Sequence, residues 1–344
     1  MNEADYDRQA GGPFGGGEAG NRRADGAASL RRRRGRVPGG AGRRRRGRAL
    51  ARGPRPRRRP RPAGPAAPDV HQRSQNLAPG HARHTVLTTP IARIVDLLWV
   101  LNLGETALCV TGPGRAAAVR RWLSGYIFFR DDVKLPDASA ELGQLGLYGP
   151  RAGAVAGALL PGAEALAEDQ LLERDGLIVA RGRPLAGDGY TVIAPAGDLA
   201  GLWAQAVAAG AAPAGEDAYQ LLRLAAGRPY AGHELTEDYI PLEADLWHAV
   251  SFSKGCYIGQ EIIARMESRG KLARRLMGLR LEAPVAVGAP VTAGGAVVGA
   301  VTTAGVLPDF GPAALSLLKT GACEPGLAVA VGGVAGAVAS LPFV

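Results

Sequence analysis

The chain has three cysteines in 344 residues, Cys109, Cys256 and Cys323, and no C-x-x-C pair among them. That scarcity excludes the disulfide framework that staples small secreted domains. It also makes a poor scaffold for a resident iron-sulfur cluster, which asks for about four thiolates. His71, His81 and His84 lack partners at metal-ligand spacing and read as solvated loop residues, so no metal site is expected. No apolar targeting segment is visible. The uncharged stretch 326–344 is interrupted by Gly332-Gly333 at a natural hairpin turn and reads as two strands, not as a spanning helix. A reducing cytoplasmic location with no membrane association is therefore expected. Thr111-Gly112-Pro113-Gly114-Arg115 lacks the Gly-Lys-Thr ending of a phosphate loop and reads as a plain helix start.

Lysine is absent from the first 133 residues, and the charge is unevenly placed. Residues 1–68 hold 19 arginines and 5 acids, a net +14, whereas residues 69–344 hold 22 basic and 26 acidic residues, a net −4. The formal +10 of the whole chain therefore belongs to the arm. Its Arg/Gly/Pro/Ala composition has no periodic apolar residues and cannot build a core, which predicts disorder. Three readings compete for it. An RNA-binding arm would want aromatics interleaved for base stacking, and none are there, which argues against direct nucleic-acid binding. A transit peptide would want an amphipathic helix, which the glycines and prolines oppose. The third reading is GC-rich DNA translated out of frame.

Beyond residue 68 the alternation of short apolar runs with Gly/Pro punctuation predicts an α+β protein of several cores. Strands are expected at 85–88, 94–101, 107–110 and 133–136 with a helix over 115–126, making a first lobe that spans 69–139. The second lobe, 140–271, is expected to carry strands at 144–148, 177–180, 190–193 and 220–224 and helices at 151–160, 164–170 and 199–209. From 272 to 344 the runs 276–281, 290–293, 296–302, 315–318 and 327–331 have the cadence of a small closed barrel.

The most informative segment is Lys254-Gly255-Cys256-Tyr257-Ile258-Gly259-Gln260-Glu261. A free cysteine commonly packs as a small hydrophobe. Here it has a lysine two residues before it and a helix start just after it, and both favour the thiolate. The helix that follows has Ile258, Ile262, Ala264 and Met266 apolar and Gly270 as its stop. Upstream, 227–244 is a loop-rich approach bearing charged and aromatic residues.

The run from Gly227 to Leu279, with its Glu234-Leu235-Thr236-Glu237-Asp238-Tyr239-Ile240-Pro241-Leu242-Glu243-Ala244 and Cys256 portions, resembles the YgfZ family of folate-binding proteins, relatives of the glycine-cleavage T-protein. The likeness extends more loosely from Asp69 to Val344. It implies two α+β lobes forming a ring with a C-terminal small β-barrel, tetrahydrofolate bound near the centre, and support of iron-sulfur proteins as clients, tRNA-modifying enzymes included. Cys256 and Lys254 would carry the chemistry, and Tyr257, Gln260 and Glu261 would stand beside it at the folate. Family members place an opening strand and helix before the segment matching 70–74; none is visible here, which implies a first lobe short of part of its sheet.

The alternative is a folate-dependent aminomethyltransferase of the T-protein type, and three places speak against it. At 92–97 those enzymes are similar to Gly-Gly-Ile-Ile-Asp-Asp, but only Asp96 remains and Leu97 fills the other acid's place. At 186–190 Gly187 stands where a pterin-holding glutamate is expected. The cysteine signature itself is foreign to them. A carboxylate near the folate nitrogens is the natural base for one-carbon transfer, so the loss of one weakens that reading. Asp96 is read either as orienting a folate or as a strand-end residue, and Tyr190 as stacking on a pterin or packing. Arg223 matches a family arginine and would meet the folate's glutamate tail or make an ordinary surface pair.

Overall fold

A computed structural model describes residues 29–32, 48–52, 77–253 and 256–343. The first lobe is a four-stranded sheet in the order β2-β5-β4-β3, built from Arg48–Arg52 (β2), Ala82–Thr88 (β3), Ile94–Asn102 (β4) and Thr106–Val110 (β5). Helix α1, Ala116–Ser124, lays Val119, Trp122 and Leu123 against Val95, Val100 and Cys109 of that sheet.

The second lobe is a six-stranded sheet. Its strands are Ser29–Arg32 (β1), Leu142–Gly149 (β6), Leu171–Arg174 (β7), Leu177–Arg181 (β8), Asp188–Pro195 (β9) and Ala212–Ala214 (β10). Helices α2 (Ala152–Leu159) and α3 (Leu199–Ala208) cover one face through Val155, Ala156, Leu159, Leu202 and Ala206. On the other side, Ile178, Ala180 and Ile193 meet Trp99, Leu101 and Leu108 of the first lobe, so the two sheets share an apolar layer.

Residues 274–339 close into a six-stranded barrel in the order β11-β14-β13-β12-β15-β16. Its strands are Arg274–Leu281 (β11), Pro290–Ala293 (β12), Ala296–Leu307 (β13), Gly311–Lys319 (β14), Ala328–Val331 (β15) and Val334–Ala339 (β16). The hairpin expected at Gly332-Gly333 joins β15 to β16 with Val331 opposite Val334. Among the described residues no helix is long and apolar enough to cross a membrane.

Four expectations are corrected. The stretch 220–224 lies in a helix, α4, Glu216–Ala225: its apolar residues look like a short strand, but Glu216 and Asp217 start a first turn where acids favour the helix dipole. Residues 133–136 form no strand, and 164–170 form no α-helix: a single tight turn covers Ala163–Ala165 and Gln170 bridges to His81. Within the arm expected to be without structure, β1 pairs with β6 and β10, and β2 pairs with β5. Sheet pairing is made by the backbone, which an arginine-rich segment supplies as well as any other. The rest of the arm lies outside the described residues.

Candidate functional site

A cavity of about 880 Å³ opens where the lobes, the segment after α4 and the chain's last residues converge. Its walls carry Trp99, Tyr148, Tyr190, Tyr219 and Tyr230, and residues 341–343 seal one side. Tyr219 bridges Tyr148 at 5.7 Å and Tyr230 at 6.2 Å between ring centroids, giving a run of flat apolar faces. Such a volume with aromatic walls and a few polar groups suits a drug-sized ring system.

Asp96 is neither a strand-end nor a turn residue: it lies within β4, 1% exposed. Its carboxylate accepts the backbone N–H of Gly112 at 3.1 Å and of Leu97 at 2.9 Å. Burial pushes its pKa up to about 6, against the opposing pull of the Gly112 bond, the Arg115 charge and the Leu97 bond. Leu97 and Gly112 both line the cavity, so the acid sits directly behind its wall.

Of the two readings of Tyr190, packing is the one observed. Its ring is packed in the second-lobe core, its hydroxyl donates to the Glu164 carbonyl at 3.4 Å, and it also contributes to the cavity wall. Gly187 lines the same wall at φ +69°, and a Cβ there would come within 2.9 Å of the Gly149 and Pro150 backbone. The chain path itself has closed the space in which a glutamate would stand.

Arg223 is corrected. It is 1% exposed and does not line the cavity. Its guanidinium donates to Gln220 Oε1, the Arg228 carbonyl, Glu234 Oε2 and Thr303 Oγ1 at 2.8, 2.8, 3.2 and 2.8 Å. Those bonds tie α4 to the 228–235 loop and to barrel strand β13, so the arginine is a bracket and not a ligand contact.

The cysteine signature sits elsewhere. Lys254 and Gly255 lie outside the described residues. Cys256 is exposed, and helix α5, Gln260–Arg269, begins beyond it with Gly259 as its cap. Gly259 holds φ +79°, and a side chain there would strike the Ala92 backbone at 2.9 Å, so the loop is pressed onto the β3–β4 turn. Thr88 reinforces that contact by donating to the Ile258 carbonyl at 3.0 Å. Tyr257 is buried with Val86, Ile94 and Leu242, and burial pushes its pKa up to about 12. The Gln260 side chain accepts the Tyr257 N–H at 3.2 Å, and Glu261 is exposed. Ile263, with Ile262 and Met266, faces the core where Ala264 was expected. None of Cys256, Tyr257, Gln260 or Glu261 lines the cavity; the structure does not bring them together with Asp96 and Tyr190.

Sequence reasoning missed His84, Arg183, Arg228 and His248, all in the cavity wall. His84 is not a solvated loop residue. It lies in β3, stacked on Trp99 at 5.4 Å and edge-on to His248 at 5.6 Å. Arg183 Nη1 lies 2.8 Å from His248 Nδ1, and burial followed by the two nearby arginine charges holds the His248 pKa down to about 3. One signal was available: Gly182-Arg183-Pro184-Leu185-Ala186-Gly187 and Gly227-Arg228-Pro229-Tyr230-Ala231-Gly232 repeat the pattern Gly-Arg-Pro-x-Ala-Gly.

The sequence model of the GCVT N-terminal domain matches residues 69–254, more than half of the chain. The chain belongs to the GCVT family. It is 32% identical over 276 residues to a chloroplastic transferase-type protein of Arabidopsis thaliana, covering 78% of this chain and 64%, under two thirds, of that protein. It is 35% identical over 285 residues to the aminomethyltransferase of Thermus thermophilus, covering 78% of each. The crystal structure of glycine cleavage system aminomethyltransferase T from Bartonella henselae superposes with a TM-score of 0.76 at 25% identity, covering 93% of this chain and 87% of that one. The GCVT fold expected from the sequence, two α+β lobes with a C-terminal barrel, is thus the fold observed.

Proposed function

We propose that this GCVT-family protein binds tetrahydrofolate in the cavity and acts as a YgfZ-type accessory factor for iron-sulfur proteins, tRNA-modifying ones among them. The observation that carries the reading is the separation of two sites. The buried carboxylate of Asp96 stands behind the cavity wall, Leu97 and Gly187 stand where T-protein enzymes are expected to set further acids, and among the described residues Asp245 is the acid in the lining. The thiol of Cys256 stands outside it, exposed, where a client protein can reach it.

The residues fit the ligand. A bound reduced folate supplies ring nitrogens able to carry a one-carbon unit. Tyr148, Tyr219 and Tyr230 offer faces for its rings, while Arg183 and Arg228 offer charge for its carboxylates. Asp96, with a pKa near 6, holds or releases a proton close to neutrality behind the Leu97–Gly112 wall. A free exposed thiol is stable in a reducing compartment, the cytoplasm in this reading. Nucleic acid and membrane have no part in it.

Folate-dependent aminomethyl transfer is the second reading, and the raised pKa of Asp96 is what favours it. An anaerobic calorimetric titration of tetrahydrofolate into the full chain and into Cys256→Ala separates the parts. Binding by both assigns the thiol to partner contact, and absence of binding by either removes the folate reading. Loss of rescue by Cys256→Ala in a strain lacking its own family member supports the accessory role. Intact rescue overturns the role given to the thiol.

A further inference from the structure

Of the chain's four tryptophans Trp247 is the exposed one, at 41%, and Phe252 is 44% exposed. Their ring centroids lie 6.0 Å apart with the planes tilted by 37°, so the two form one aromatic wedge in contact with water. The backbone between them is anchored: Ala249 and Val250, at the end of the tight turn Trp247–Ala249, are buried with Val86 of β3. Tyr257 enters the same cluster, so the stretch from the wedge to the thiol is pinned at both ends over one patch of core. Cys256, four residues after Phe252, is exposed as the two rings are.

The segment that follows carries the opposite charge to the body it belongs to. Residues 254–275 hold six basic and two acidic residues, a net +4, whereas the rest of 69–344 holds 16 basic and 24 acidic residues, a net −8. Arg265, Lys271, Arg274 and Arg275 are exposed, and so are the two acids, Glu261 and Glu267. Glu243 ties the start of β11 to the chain leading into the wedge: its side chain accepts the Arg274 N–H at 3.2 Å and its carbonyl the Leu276 N–H at 2.9 Å. The Arg275 charge reaches Asp245, two residues before Trp247, where with Arg183 and Arg228 it opposes the upward push of burial on that carboxyl.

We propose that Trp247 and Phe252 anchor a docking face for a partner protein, whose acidic surface meets the basic residues between Arg265 and Arg275 and is thereby presented to Cys256. This rests on the accessory-factor reading above. Exposed apolar surface rimmed by charge marks contact sites, and tryptophan and arginine are enriched among the residues that carry binding energy between proteins. A basic segment on an otherwise acidic body is the part that an acidic partner is steered toward. Two rings tilted onto each other make a wedge for an apolar pocket, where RNA would want separate open faces for its bases. Leu246 and His248, the neighbours of Trp247, line the cavity and Trp247 does not, so the docking face is distinct from the folate site.

The test puts the full chain and its variants into a strain lacking its own family member and reads the activity of that strain's iron-sulfur enzymes. The variants are Trp247→Ser with Phe252→Ser, Arg265→Glu with Arg275→Glu, Arg265→Lys with Arg275→Lys, and Cys256→Ala. The aromatic and charge-reversed variants are expected to lose ~10-fold or more of the rescued activity, and the lysine variant to keep it. Both losing variants keep their circular dichroism melt, their tetrahydrofolate binding and the fast reaction of Cys256 with an aromatic disulfide reagent, which separates docking from folding, cavity and thiol. Loss of rescue together with a lowered melt or lost folate binding makes the residues structural and overturns the docking face. Full rescue by either variant, with Cys256→Ala inactive, also overturns it and leaves the accessory reading standing. Retardation of bulk tRNA by the full chain that the aromatic variant loses assigns the face to RNA and overturns it as well. Failure of the unaltered chain to rescue overturns both readings.

Discussion

Arg223 and Glu234 meet at 3.2 Å with both side chains closed to solvent, 1% and 0% exposed. Thr303 completes the arrangement, accepting from Arg223 Nη2 at 2.8 Å while donating to Glu234 Oε1 at 2.6 Å. Glu234 also accepts the Tyr230 N–H at 3.0 Å. The network fixes the 228–235 loop between helix and barrel and so sets where Arg228 and Tyr230 stand in the cavity wall. A buried charge pair survives only when its remaining donors and acceptors are satisfied, and these are.

Removal of one partner therefore leaves a buried uncompensated charge. Arg223→Ala is expected to cost about 3–5 kcal/mol in urea unfolding. Arg223→Lys recovers less than half, because a single ammonium cannot reach four acceptors held in a guanidinium's plane. A ligand-binding arginine would behave differently, with an unchanged unfolding midpoint and a raised Kd for folate.

Restoring the acid absent from the second lobe is expected to fail as a gain of function. Gly187→Glu puts a side chain at φ +69° with its Cβ 2.9 Å from neighbouring backbone. The strain is on the order of 1–3 kcal/mol. The thermal midpoint falls, and aminomethyl transfer, assayed with the other glycine-cleavage components, does not appear. Transfer activity at an unchanged midpoint would show that the loop has room to move.

The three thiols differ enough to be told apart by an aromatic disulfide reagent. Cys256 is exposed, Cys323 is intermediate with its pKa raised by burial, and Cys109 is buried with its pKa pushed up to about 11. One thiol per chain is expected to react fast at neutral pH, and Cys256→Ala abolishes that phase. Because Cys256 is exposed, Cys256→Ala is expected to shift stability by no more than about 0.5 kcal/mol.

The elements legible in the sequence were those whose own residues carry the signal. The barrel strands are short apolar runs set off by glycine and proline, and Gly332-Gly333 marks a turn by itself. Helix α4 is not legible because its middle, Leu221-Leu222-Arg223-Leu224, is a short apolar run equally compatible with a strand, and its helical start lies further back at Glu216. The site divides the same way. Asp96 was visible from its place in a motif, whereas the fate of Arg223 depends on Glu234 and Thr303, 11 and 80 residues away. His84, isolated in sequence, gains its meaning only from Trp99 and His248 folded against it.

Acid stability distinguishes the buried groups by sign. Asp96 has a folded pKa of about 6 against 3.8, so the folded chain holds that proton more tightly. Its contribution is complete below about pH 3.8 and is lost as pH rises through 6, a swing on the order of 3 kcal/mol. His248 runs the other way: with a folded pKa of about 3 against 6.5, its contribution is complete above 6.5 and is lost as pH falls toward 3. Urea unfolding from pH 4 to pH 8 should therefore show opposite changes in slope for two variants. Asp96→Asn removes a term that stabilises the acid side, so the variant loses more stability on acidification than the unaltered protein. His248→Gln removes a term that stabilises the neutral side and loses less. Parallel curves for Asp96→Asn and the unaltered protein would mean that water reaches the carboxylate behind the Leu97–Gly112 wall, and the proton-holding role given to Asp96 would fall with it.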